Sequence, residues 1–415
     1  MSKHPIPLPI IDGIEQINDK NFSHVVILNK NDLDCIIEFL KQYTGNHATF
    51  DSYRREVERL LQWSWLIKQK SVLDLKRQDI ENYLAFCLNP PQTWIGTSRG
   101  ARFITRNGER QPNPKWRPFV VTVNKHEHKK GIKPDKNRYQ LSQKAIREIF
   151  TVLSSFYHYL SLEEKVSINP VALIRQKSKY LQKSQTHAPV RRLSEQQWQA
   201  CLAMTQTIAD AQPEHHERTL FIITALYLLY LRISELAANQ RWIPQMGHFY
   251  QDSNNHWWFK TVGKGNKMRD IAVSDDMLTA LKRYRKSLDL TPLPSPNEQM
   301  PLLSKEKGQG AIRSTRHIRR LVQYCFDKTI EKLRQNASPT EADALESATV
   351  HWLRHTGISD DINKRGRPIA HVRDDAGHSS SAITDRYNDI ELIERHQSAK
   401  HKKTTIDKVI MLEEE

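Results

Sequence analysis

Residues 175–192 carry Arg175, Lys177, Lys179, Lys183, Arg191 and Arg192 and no acid. Asn169–Pro170 lies before this stretch, and Ser194, with Gln197 three residues on, lies after it. A residue before proline avoids the helical region, so Asn-Pro closes one helical pattern. Ser-x-x-Gln is a capping box, which opens another. A run of six cations has nothing to bury, so the chain must divide there. The expected layout is an N-terminal domain over 1–174, a basic linker over 175–192 and a second domain over 193–415. Each half is long enough for its own core.

The first half reads as helices. Leu33, Ile36, Ile37 and Leu40 recur at helical spacing within 32–43, and a longer helix is expected over 50–67. A third covers 79–88 and stops at Pro90–Pro91; a fourth starts at a Ser142 cap and runs to Leu160. Residues 89–138 interrupt this pattern as an insert with little periodicity. Trp94, Trp116 and Phe119 stand there among arginines, which suggests packing, nucleic-acid stacking or contact with a partner protomer. The second half opens with helices and then changes period. Residues 257–262 and 267–273 flank Gly263-Lys264-Gly265-Asn266, a hairpin signal, with a third strand near 248–251. Helices resume at Ser274 and continue through 316–335, 340–347, 351–363 and 382–390. The fold class expected is mainly α with one small antiparallel β-sheet.

The net charge of +16 is concentrated. Residues 91–138 hold twelve Lys/Arg against three acids, and with the linker they account for fifteen of the sixteen charges. Such density suits DNA phosphates, with Arg99, Arg102, Arg106, Arg110, Arg175, Lys177, Lys179, Arg191 and Arg192 as the candidate contacts. No apolar run is long enough to span a membrane, and Met1–Asp12 lacks the features of a signal peptide, so an intracellular, cytoplasmic place on the nucleoid is expected. Cys35, Cys87, Cys201 and Cys325 form no CxxC pair, which argues against a zinc site and a disulfide framework. No metal or other cofactor is expected.

Four stretches carry chemistry. Arg232 lies in Leu231-Arg232-Ile233-Ser234-Glu235-Leu236, just after an apolar helix; it either pairs with Glu235 or faces a phosphate. Lys264 stands on the hairpin tip, which lacks the P-loop pattern. His351 and Arg354, three apart in His351-Trp352-Leu353-Arg354-His355, share a helix face and could clamp an anion. Gly377-His378-Ser379 is followed by Tyr387, nine residues after the histidine. Singly, each has an ordinary structural explanation.

In this order and spacing the four stretches resemble the tyrosine recombinases, the phage-integrase group that includes the Xer enzymes. The resemblance is strong over roughly 190–390 and looser in the first half. It departs at Tyr230, where the family usually has glycine, and at the insert. It implies a two-domain clamp on double-stranded DNA, with Tyr387 as nucleophile forming a 3′-phosphotyrosine. Arg232, Arg354 and His378 would stabilise the pentacoordinate phosphorus. Lys264 would protonate the leaving 5′-oxygen, and His351 would assist Tyr387 or orient the phosphate. The expected partners are paired inverted repeats and three further copies of the chain, in a tetramer on two sites. A regulator that binds without cutting and a sequence-tolerant topoisomerase are the alternatives.

Overall fold

Side-chain caps set where the helices of the first half begin. In the computed structural model, Asn29 accepts from Asp32 N–H and opens α1 (Lys30–Lys41). Asn46 accepts from Ala48 and Thr49 N–H and opens α2 (His47–Trp63). After α3 (Arg77–Leu88), Ser142 accepts from Ala145 N–H and opens α4 (Gln143–Leu162). The structure describes residues 4–19, 22, 26–124, 127–128, 130–175, 180–181, 191–263, 265–336, 338–385, 387 and 396–400, without the side chains of Leu173 and Arg175. Lys177, Lys179, Lys183 and Lys264 therefore lie outside the described residues, as does the side chain of Arg175.

The chain forms two units, Met1–His187 and Ala188–Glu415. In the first, the apolar stripes of α1, α2 and α4 meet: Ile36, Leu40, Val57, Leu60, Leu61, Phe150, Leu153 and Phe156 are buried together. The insert is not structureless. Its strands β1 (Ile95–Gly96) and β4 (Phe119–Val120) pair in parallel. Between them, β2 (Phe103–Arg106) and β3 (Glu109–Pro112) form an antiparallel hairpin.

Its aromatics are part of the core. Trp94 is fully buried against Phe86, with ring centroids 4.9 Å apart, and Phe119 is 2% exposed. Burying each such ring contributes about 2 kcal/mol. Stacking on bases or touching a partner protomer is thereby ruled out for Trp94 and Phe119, because their faces are already covered. Two of the insert's arginines also have internal work. Arg102 is ion-paired with Glu58, and its guanidinium lies 4.7 Å from the centre of the Trp116 ring. Arg110 pairs with Asp12 at 2.6 Å. Arg99 and Arg106 are exposed.

In the second unit the expected capping box is formed: Ser194 accepts from Gln197 N–H, and the Gln197 side chain accepts from Ser194 N–H, opening α5 (Glu195–Ala211). The apolar helix α6 (Pro213–Leu228) crosses the middle of the unit. Strands β5 (Phe249–Gln251), β6 (Trp257–Val262) and β7 (Met268–Ala272) make one antiparallel sheet in sequence order. Phe249, Phe259 and Ile271 turn into the core from it, the alternation that the period of two requires. Helices α7 (Asp275–Lys286), α8 (Thr315–Gln335), α9 (Val350–Asn363), α10 (Ile369–Ala376) and α11 (Ser381–Asp385) complete the unit. Tyr387 sits in a turn past α11, its N–H donating to the Thr384 carbonyl; residues 388–390 of the expected helix lie outside the described residues. All four cysteines are free and buried. Among the described residues, no helix is long and apolar enough to cross a membrane.

Candidate active site

The site gathers at the C-terminal end of α6. There the chain turns through Leu229 and Tyr230 into Arg232, the N-cap of a single helical turn, Ile233–Leu236. Helix α9 passes beside this corner and carries His351, Arg354 and His355. Helix α10 ends at the corner and delivers Gly377 and His378. Tyr387 returns to it after α11 and packs with Tyr230, Ile358, Ile362, Val372 and Ala376 in a small cluster of its own.

Arg232 makes the Glu235 pair that its sequence position allowed and also reaches a main-chain carbonyl. Its Nη1 donates to Glu235 at 3.0 Å, and its Nη2 donates to the Gly377 carbonyl at 3.3 Å. Glu235 is 1% exposed and is shared with Arg269, which donates to both carboxylate oxygens at 3.0 and 2.8 Å. Burial alone would raise the Glu235 carboxyl, but the hydrogen bonds and charge of Arg269 outweigh it and hold the group below its usual value. Sequence reasoning missed Arg269. It lies on β7, and only the fold brings it to Glu235 and, through Nε at 2.9 Å, to the Asp375 carbonyl.

Arg354 is 2% exposed. Its two terminal nitrogens donate to main-chain carbonyls, Nη1 to Tyr230 and Nη2 to Ala376 at 2.6 Å. Burial first, then the charge of Arg232, pushes this guanidinium down to about 9, so it remains charged at neutral pH. Three guanidinium groups thus surround one carboxylate. A buried cation that leans on neutral carbonyls has desolvation left to recover, and an arriving anion recovers it.

The histidines divide their work. His378 Nδ1 lies 2.9 Å from Thr384 Oγ1, which fixes its ring, and the ring stacks beside Tyr387 at 6.1 Å between centroids. Burial, followed by the charges of Arg354, Arg232, Arg269 and His351, lowers His378 to about 4. It is therefore neutral at pH 7 and fit to donate one N–H, not to add a charge. The tyrosine hydroxyl is in hydrogen-bond contact with Nδ1 of His355. His351, expected to assist Tyr387 or to orient the phosphate, stacks edge-on against His355 at 4.3 Å. His355 sits one residue after Arg354, in the same motif, so the motif contained the residue, but only the fold could show which imidazole reaches the phenol. The Tyr387 carbonyl accepts from Asn363 Nδ2 at 2.7 Å, which ties the tyrosine's backbone to the end of α9.

The hairpin reaches the same place. A methyl group on Gly263 would lie 2.8 Å from Arg269 Nη1 and 3.6 Å from Arg232 Nη1, so a side chain there would push the Arg269 guanidinium aside. Lys264 is the next residue. Of the basic linker residues, Arg191 is exposed and Arg192 is hydrogen-bonded to Ser359 within the second unit.

Comparison with known proteins places this geometry. Residues 191–392 match the phage integrase family. The chain is 23% identical over 270 residues to the tyrosine recombinase XerC of Chlorobaculum parvum, covering 63% of this chain and 70% of that protein. It is 24% identical over 251 residues to XerD of Staphylococcus saprophyticus, covering 60% and 72%. Its fold is similar to that of the XerH site-specific recombinase in a post-cleavage complex with a palindromic difH substrate, with a TM-score of 0.55 at 12% identity over 96% of this chain and 99% of that one. Residues 191–392, with a tyrosine set among arginines and histidines, therefore carry a phage integrase family domain, and the chain is similar to the tyrosine recombinases XerC and XerD.

Proposed function

We propose that the chain is a site-specific DNA recombinase that cuts and rejoins strands through a 3′-phosphotyrosine on Tyr387. The observation that carries this reading is Arg354: a buried, charged guanidinium held by neutral carbonyls beside a tyrosine whose hydroxyl already meets a base. A phosphodiester repels nucleophiles by its own charge, and attack concentrates that charge on the equatorial oxygens. Arg232 and Arg354, with an N–H from neutral His378, are suited to hold those oxygens. The Tyr387 oxygen bonds to phosphorus as its proton passes to His355 Nδ1, and the bond from phosphorus to the 5′-oxygen breaks. The leaving oxygen takes a proton from Lys264, and the phosphotyrosine bond conserves the energy needed for rejoining.

Double-stranded DNA with paired inverted repeats is the proposed substrate, and four copies of the chain the proposed assembly. Exposed Arg99, Arg106 and Arg191 are proposed to lie against phosphates, a role that the internal pairing of Arg102 and Arg110 makes less available to those two. The direct test uses nicked duplexes taken from repeats in the DNA flanking the gene. Arginines supply the positive charge in this mechanism, so a covalent protein–DNA band is expected in EDTA and without nucleotide. A band lost on chelation and restored by magnesium would overturn the mechanism. Binding in the same preparation should weaken with salt, and less steeply once Arg99 and Arg106 are removed together.

The acid has its own test. Lys264→Ala is expected to slow cleavage by about 10²-fold or more while DNA affinity changes little. A 5′-bridging phosphorothiolate leaves without protonation and should restore the variant. If it does not, another group is the acid, and Lys267, at the other side of the same tip, is the next candidate.

A further inference from the structure

The backbone at Tyr230 is in the left-handed region, with φ of +49°. For a bulky residue this conformation is costly and persists only where its surroundings impose it. Glycine would adopt it without strain. The residue is nevertheless a tyrosine, 1% exposed, and its surroundings are unusually well defined. The phenol hydrogen-bonds to an Asp361 oxygen at the end of α9. It also accepts from Arg367 Nη1 at 2.9 Å. Arg367 in turn bonds Asp361 at 3.0 Å and Asp375 at 2.7 Å, so one guanidinium joins α9, Tyr230 and α10.

The two carbonyls that hold Arg354 belong to Tyr230 and Ala376. Each is therefore placed by a residue that Arg367 grips: Tyr230 itself, and Asp375 directly before Ala376. We propose that Tyr230 is a positioning residue: its anchored phenol locks a strained peptide so that its carbonyl aims the Arg354 guanidinium at the scissile phosphate. Burial raises the phenol's pKa far above its usual value, so it stays protonated and keeps donating to Asp361. The ring also packs in the same small cluster as Tyr387, so the nucleophile and the arginine share one support.

This inference rests on the recombinase reading, and its test separates the two. Wild type, Tyr230→Phe and Tyr230→Gly are compared in single-turnover cleavage of a nicked duplex at saturating DNA. A second duplex carries a methylphosphonate at the scissile position, which lacks the charge that Arg354 would neutralise. The Phe variant keeps the ring and loses the anchor; the Gly variant loses the strain and the anchor together. Both are expected to cleave the phosphodiester roughly ten-fold to a hundred-fold more slowly, with Kd for DNA within about two-fold of wild type. On the methylphosphonate the deficit should shrink to about two-fold, because an aimed guanidinium matters less there. Equal deficits on both substrates would mean a general structural role and overturn the inference. So would either variant cleaving the phosphodiester at the wild-type rate. A wild-type chain that forms no covalent complex on the phosphodiester would overturn the recombinase reading, and the positioning role with it.

Discussion

Tyr387→Phe is expected to abolish strand cleavage, by on the order of 10⁴-fold or beyond detection, while leaving DNA affinity nearly unchanged. The substitution removes one oxygen. The ring keeps its place among Tyr230, Ile358, Ile362, Val372 and Ala376, and the backbone keeps the bond from Asn363 to its carbonyl. What disappears is the proposed nucleophile and its hydrogen bond to His355, worth about 1 kcal/mol to stability. The thermal midpoint should therefore move by only a few degrees. Denaturing electrophoresis of a nicked-duplex reaction reads the result. Wild type should give a covalent band, and the Phe variant none at matched occupancy. A covalent band from the variant would remove Tyr387 from the role of nucleophile and require another hydroxyl in reach of the three arginines.

The sequence was most legible where local chemistry and global fold agree. Ser142, Ser194 and Ser274 cap the helices they were expected to open, because a side-chain oxygen three residues ahead of an N–H is a purely local fact. The β6–β7 hairpin was equally local. Arg232, Arg354, His378 and Tyr387 could be picked out by spacing, and the fold brings them to one corner. The insert was harder. Its parallel β1–β4 pair is two residues long and joins positions far apart in the chain, so it leaves no period to detect. Its β2–β3 hairpin did leave a signal that went unused: Asn107–Gly108, both at positive φ, is a two-residue turn of the kind that joins strands. The polar composition of those strands hid it. Arg269, His355 and the left-handed Tyr230 belong to a third kind. Their residue types are visible in the chain, but their work depends on which element packs against which. No spacing rule gives the approach of α9 to the end of α6.

That approach has one glycine at its centre. A methyl group on Gly357 would overlap the Tyr227 carbonyl oxygen and crowd the carbon behind it, both main-chain atoms that cannot turn aside. Gly357→Ala must therefore push α9 away from α6. The cost of such overpacking is about 1–3 kcal/mol, which for a unit of this size lowers the thermal midpoint by roughly 2–12 °C. The effect on chemistry should be larger than the effect on folding. Helix α9 carries His351, Arg354 and His355, and the Tyr230 carbonyl that accepts from Arg354 lies three residues beyond the point of collision. Moving the helix breaks that bond and the reach of His355 to Tyr387 together. Since a misplacement of about 1 Å can cost 10²-fold in rate, single-turnover cleavage is expected to fall by at least that factor. DNA affinity should fall far less, because the phosphate contacts proposed for Arg99, Arg106 and Arg191 do not depend on this helix. Thermal unfolding, binding and trapping on the nicked duplex, measured on one preparation, separate the three effects. An alanine variant that melts and cleaves like wild type would show that α9 does not need this close contact, and the account of how the fold aims Arg354 would have to be replaced.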